Sequence, residues 1–150
     1  VLRREEVPWI MAGRDEIVDA IASFTVFADL GRPQLEAVAG QLEESWYAAG
    51  ERILRQGLSG SGLFFVLDGE CSVQVDGEER AKLSRGEFFG EISVLLGESP
   101  VADVVALAPV RCLVLARPLV EPFLVANPRV TFRMLQAMGR RLRNATSWRS

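Results

Sequence analysis

The 150-residue sequence contains no histidine. That absence removes the commonest metal ligand and the commonest general base at neutral pH, so Ser-His-Asp hydrolysis, Cys-His proteolysis and His-ligated zinc or iron sites are excluded. Cysteine is nearly absent as well. Cys71 and Cys112 stand far apart, each inside a strand-like run, which rules out a disulfide framework or a Cys-x-x-Cys metal clip and leaves both as buried apolar residues. No apolar run approaches the roughly 18 to 20 residues that a membrane-spanning helix needs, and the N-terminus lacks a basic-then-apolar leader. A soluble, cytoplasmic protein with no membrane insertion is expected. Acid is missing from one region: the segment 129–150 carries Arg129, Arg133, Arg140, Arg141, Arg143 and Arg149 with no Asp or Glu, in a chain of formal charge −3.

What is present suits one domain with its own core. Residues 1–13 have no clear period, hold a Pro8-Trp9-Ile10 cluster expected to pack down, and read as an N-terminal extension to a single domain over 14–150. Residues 14–25 place Ile17, Ile21 and Phe24 at helical spacing, and Pro33 opens a second predicted helix, to about residue 44, with Leu35, Val38 and Leu42 on one face. From Trp46 to Leu115 the chain breaks into short β-rich pieces: Arg52 to Leu54, Gly62 to Leu67, Cys71 to Val75, Arg80 to Leu83, Val104 to Ala106 and Arg111 to Leu115. Asp76-Gly77 between two of them is a tight-hairpin signal. Helix returns over Pro118 to Val125, breaks at Asn127-Pro128, and continues over Arg129 to Ala145. The stripe of Phe132, Leu135, Gly139 and Leu142 there suits core packing and pairing between two chains equally. Its glycine, costing about 1 kcal/mol in mid-helix, is expected to mark close contact with the sheet or with a partner helix.

The densest signal runs from Gly86 to Ala106. Gly86-Glu87-Phe88-Phe89-Gly90-Glu91-Ile92-Ser93 leads into a predicted short helix over Glu91 to Leu96, then Ser99-Pro100-Val101-Ala102-Asp103-Val104-Val105-Ala106. A glycine at 90 permits close backbone approach to a ligand, and the free amides of a helix start attract an anion. The carboxylate of Glu91 can accept both hydrogens of a hydroxyl pair. Together with Ala49-Gly50-Glu51-Arg52-Ile53-Leu54-Arg55-Gln56-Gly57 and Leu63-Phe64-Phe65-Val66-Leu67-Asp68-Gly69, this string resembles the cyclic-nucleotide-binding domains of the cAMP-receptor-protein and protein-kinase-A regulatory-subunit type, over about residues 14 to 146. The resemblance implies an α+β fold: an antiparallel β-roll, a double-stranded β-helix of jelly-roll type, flanked by N-terminal helices and C-terminal hinge helices. Metal-binding cupins share the jelly roll, but a chain without histidine is not one of them.

By resemblance the ligand contacts fall on Val73, Phe89, Gly90, Glu91, Ile92, Ser93, Pro100, Val101, Ala102, Asp103 and Arg141, with cAMP or cGMP as the ligand and Glu91 on its ribose. One piece of the pattern is missing. The family's phosphate-binding arginine follows a proline, and here the ungapped position is Pro100, while pairing the prolines puts Val101 there. Asp103 stands where the family carries threonine, and a carboxylate about 5 Å from a phosphate adds about 3 kcal/mol of repulsion at an effective dielectric near 20. Binding of cAMP or cGMP is therefore expected to be weakened or lost, with Arg80 and Arg141 as substitute cations. No metal, other cofactor or catalytic residue is expected. Glu43-Glu44, Glu78-Glu79 and Glu98 read as solvated charges rather than as an acid/base pair.

Two functions fit these residues. One is a non-catalytic sensor whose C-terminal helix responds to a ligand in the β-roll and signals to a partner or effector domain. The other is a ligand-independent interaction or dimerisation module that keeps the fold, with a homodimer as the expected assembly. The basic tail reads either as an acidic-partner or nucleic-acid stripe or as cations that favour a helix C-terminus and pair with the domain's own acids. No recognition helix follows it, so sequence-specific DNA binding is not expected of this chain.

Overall fold

The computed structural model describes residues 13–58 and 62–147, the side chains of 146 and 147 excepted; the Pro8-Trp9-Ile10 cluster lies outside them. Helix α1 (Arg14–Ala22), a 3-10 turn (Thr25–Phe27) and α2 (Arg32–Ala39) precede eight strands. These are β1 (Glu43–Tyr47), β2 (Arg52–Leu54), β3 (Gly62–Asp68), β4 (Cys71–Val75), β5 (Glu78–Leu83), β6 (Phe88–Phe89), β7 (Asp103–Ala106) and β8 (Val110–Ala116). Helix α3 (Glu91–Leu96) lies between β6 and β7, and α4 (Arg117–Ala126) and α5 (Pro128–Ser147) follow β8. The strands form two antiparallel four-stranded sheets, ordered β1-β8-β3-β6 and β2-β7-β4-β5, which is the β-roll with flanking helices.

Alternation along β3 and β8 explains both cores. Because side chains of a strand point to opposite faces in turn, Leu63, Phe65, Leu67, Leu113 and Leu115 face the helices, where Phe27, Phe123, Val130 and Met134 meet them. Phe64, Val66, Val110 and Cys112 face the second sheet and pack on Leu54, Cys71, Val104 and Ala106. A strand covered on both faces reads as an unbroken apolar run, and β3 is buried from Gly62 through Leu67. Both cysteines are free and fully buried. Burial raises the Cys71 thiol to about 11 and the Cys112 thiol further, so neither is a nucleophile at neutral pH.

Several boundaries differ from expectation. The predicted helix over 14–25 stops at Ala22, and the 3-10 turn delivers Val26 and Phe27 to the core. The predicted helix to residue 44 stops at Ala39, with Gly40 as its cap. Glu43 to Tyr47 instead pairs with β8 from Glu43↔Val114 to Tyr47↔Val110, so ladder hydrogen bonds to a buried strand outweigh local helix preference. Glu44 is consequently half-buried in a strand rather than solvated, and burial pushes its carboxyl above the ordinary value. At Asp76-Gly77 both residues have positive φ, 52° and 82°, as a tight hairpin of this kind requires. Gly139 has open space where a Cβ would stand, so it makes no close contact with the sheets; the stripe around it is exposed.

Candidate functional site

The site is organised by one turn. Strand β6 ends at Phe89 and Gly90 takes φ +90°, a left-handed conformation, before α3 begins. A Cβ at Gly90 would lie 2.5 Å from the Gly62 carbonyl oxygen, so only glycine lets the chain turn this tightly over β3. Behind the turn, Arg117 at the start of α4 donates from Nη2 to the Ser93 carbonyl at 3.0 Å, and the Ser93 hydroxyl donates to the Glu98 carbonyl. These bonds tie α3 down at its far side. Arg117 was invisible in sequence because its partner is 24 residues away and no local pattern links them.

In front of the turn lies a cleft of about 860 Å³, within the size range of small-molecule sites. It gathers Val73 from β4, Phe89 to Ser93 from the turn and α3, Pro100 to Ala102 from the following loop, and Arg141 from α5. Glu78, Glu79, Arg80 and Lys82 of β5, Glu87, and Asn144 of α5 also line it; the three-residue spacing from Arg141 is the signal that points to Asn144. Four carboxylates, Glu78, Glu79, Glu87 and Glu91, stand against three cations, Arg80, Lys82 and Arg141.

Asp103 does not line the cleft. Val104 and Ala106 take the inward positions of β7, so Asp103 faces the other way, where Oδ1 accepts the Gln56 backbone N–H at 2.6 Å and Oδ2 lies 3.8 Å from Arg52 Nε. Its carboxylate is therefore directed at Gln56 and Arg52 rather than at the cleft. In the loop before β7, Pro100 is buried, whereas Val101 is 54% exposed. Pro100 and Val101, the two positions the resemblance offers for the arginine, both line the cleft.

Arg141 is locked into the site. Its Nη1 lies 3.0 Å from Glu91 Oε1, its Nη2 donates to the Phe88 carbonyl at 2.6 Å, and its guanidinium stacks 4.3 Å over the Phe88 ring. Glu91 is only 5% exposed. Burial pushes its carboxyl above the ordinary value while Arg141 pulls it down. The acceptor expected to meet a ribose is therefore already engaged by the C-terminal helix. Arg80, by contrast, lies on the exposed run of β5.

A sequence profile described as "Cyclic nucleotide-binding domain" matches residues 44–127, more than half of the chain. The cGMP-dependent protein kinase, isozyme 1, of Drosophila melanogaster is 33% identical over 108 residues, covering 67% of this chain and 14% of that kinase. The chain spans 12 to 20% of the length of the curated relatives it matches. Among solved structures, the Thermus thermophilus catabolite activator protein is 28% identical with a TM-score of 0.72, over 81% of this chain and 59% of that one. The regulatory subunit of a cAMP-independent protein kinase A from Trypanosoma brucei is 24% identical with a TM-score of 0.71, over 83% and 46%. The profile match, the two-sheet roll and the Gly90–Glu91 turn agree, and the chain belongs to the cyclic nucleotide-binding domain family.

Proposed function

We propose that this domain is a non-catalytic regulatory module that binds cAMP and cGMP only weakly. The observation that supports this reading is that both positions the resemblance offers for the arginine, Pro100 and Val101, line the cleft with uncharged side chains; Pro100, the buried one of the two, is taken as the arginine's place. A buried anion left without its partner costs about 3 to 5 kcal/mol, which is two to three and a half decades of affinity at about 1.4 kcal/mol per decade. The cleft's surplus of carboxylates acts in the same direction, and Arg141 is occupied by Glu91. The similar Trypanosoma brucei subunit is described as cAMP-independent, and a triple mutant of it that gains an arginine is described bound to cAMP; both support the reading. Titration calorimetry with cAMP and cGMP tests it, with no binding tighter than about 0.1 mM expected.

A partner-binding role is favoured by a separate observation. Phe132, Leu135 and Leu142 on α5 are 47%, 60% and 68% exposed, while Arg133 and Arg141 turn to Asp29 and Glu91 of their own domain. The apolar stripe is therefore not flanked by these two charges. A homodimer through α5 is expected, read by light scattering at micromolar concentration as twice the chain mass. Leu135→Glu should return it to monomer, and a monomeric wild-type chain would remove the dimer from this reading.

A further inference from the structure

The acid-free tail forms one wall of a second cleft, adjoining the one in front of the Gly90 turn. Arg133, Ala137, Arg140 and Asn144 recur at spacings of four, three and four and so share one face of α5. That face stands opposite the 3-10 turn and the loop between β5 and β6, and encloses about 400 Å³ together with Thr25 and Arg85. Ala137 at the centre of the stripe is small, which leaves the space between the arginines open.

We infer that this cleft binds a phosphate dianion, carried either by a small molecule or by a phosphorylated side chain. The charge is the first argument. Arg85, Arg133, Arg140 and Arg141 line the cleft against the single carboxylate of Glu87. Counting the groups paired with them adds Arg129, Asp29 and Glu91, so five arginines meet three carboxylates in a chain whose net charge is negative. Donor capacity is the second argument. Glu87 is held by the Ser84 N–H and hydroxyl at 3.0 and 3.3 Å. Arg133 spends Nε and Nη2 on Asp29 and Arg85 spends Nη1 on the Leu67 carbonyl, which leaves each guanidinium further N–H groups. Arg140 is exposed and makes no ion pair among the described residues. Planar arginine forks on two sides of a gap match the tetrahedral oxygens of phosphate.

The two clefts share three lining residues. Glu87, Arg141 and Asn144 line both, and Arg141 reaches through the shared wall to Glu91. An anion in the arginine cleft therefore competes with Glu91 for Arg141. The inference stands independently of whether the cassette cleft binds cyclic nucleotide, because no residue of the cassette from Gly90 to Asp103 lines this cleft.

The test is titration of the intact chain at low ionic strength with inorganic phosphate, pyrophosphate and a phosphoserine peptide, followed by calorimetry and amide chemical shifts. Saturable binding is expected, with shifts at Thr25, Gly86 and Arg140. Arg140→Glu should weaken it at least tenfold, since it replaces a donor by a like charge, whereas Arg55→Glu, the same charge change on an exposed residue outside the cleft, should leave it within twofold. Tighter binding of the peptide than of the free anions assigns the dianion to a modified side chain; the reverse order assigns it to a small molecule. Equal losses from the two charge reversals, or no saturable binding of any probe up to about 10 mM by folded protein, would overturn the inference.

Discussion

The Pro100→Arg variant should bind cAMP or cGMP about a hundredfold more tightly than the wild-type chain. Pro100 has no N–H to lose, and its carbonyl keeps the 2.9 Å bond from the Gly57 N–H when the side chain changes. The new guanidinium enters a cleft already lined by the Gly90 turn and by Glu91. A bidentate pair with a cyclic phosphate is charge-assisted at both bonds, and about 3 kcal/mol corresponds to two decades. The dissociation constant should fall from above about 0.1 mM into the low micromolar range. Adding Asp103→Thr should give no further gain, because the carboxylate faces Gln56 and Arg52 rather than the cleft. Removing it deprives the Gln56 N–H of its acceptor and is expected to cost about 1 kcal/mol of stability. Two results would count against the reading. Low-micromolar binding by the wild-type chain would show that Arg80 or Lys82 replaces the arginine. No binding by a folded Pro100→Arg variant would mean that the cleft does not serve a phosphate, and would favour the interaction module.

The roll was legible because its turns carry local chemistry. Asp76-Gly77 and the glycines at 69, 86 and 90 take positive φ, so the sequence marks each reversal with the residue types that tolerate it, and the strands fill the intervals. Strand β1 was hidden for the opposite reason. Glu43-Glu44-Ser45-Trp46-Tyr47 shows neither clean alternation nor apolar continuity, and only pairing with the buried β8 makes it a strand. At the site, the turn and Glu91 were legible from their own spacing together with the family resemblance. The direction of Asp103 was not, because one residue of register exchanges the faces of a strand and that register is set by the partners of β7 far away in sequence. The pairing of Arg141 with Glu91 spans 50 residues; the resemblance placed Arg141 near the pocket but gave no reason to seat it on the carboxylate that a ligand would need.

That pairing supplies the second large effect, which should appear as a pH-dependent loss of stability in Arg141→Ala. The substitution leaves a carboxylate with 7% side-chain exposure without its cation. Breaking a buried pair costs about 3 to 5 kcal/mol, and because the Arg141 side chain is 35% exposed, solvent reduces the expected cost to about 2 to 3 kcal/mol at pH 7. The sign of the pH dependence follows from the raised carboxyl of Glu91. Between the unfolded value of 4.5 and the higher folded value, the folded state binds more protons, so Glu91 makes stability fall as pH rises through the folded value. Losing Arg141 removes the influence that holds the carboxyl down and extends that window upward. The gap between Arg141→Ala and wild type should therefore widen as pH rises above the unfolded value and close towards pH 4, where Glu91 is protonated in both states. In a Glu91→Gln background the same substitution should cost less than in the wild-type background and lose most of its pH dependence, since a neutral amide needs no counter-charge while the contacts of Arg141 with Phe88 are lost in both backgrounds. Paired urea denaturations of the four proteins at pH 4.5, 6 and 7.5 measure both differences. A cost independent of pH, or one unchanged by Glu91→Gln, would locate the contribution of Arg141 in its stacking on Phe88 and its bond to the Phe88 carbonyl instead of in its pairing with Glu91.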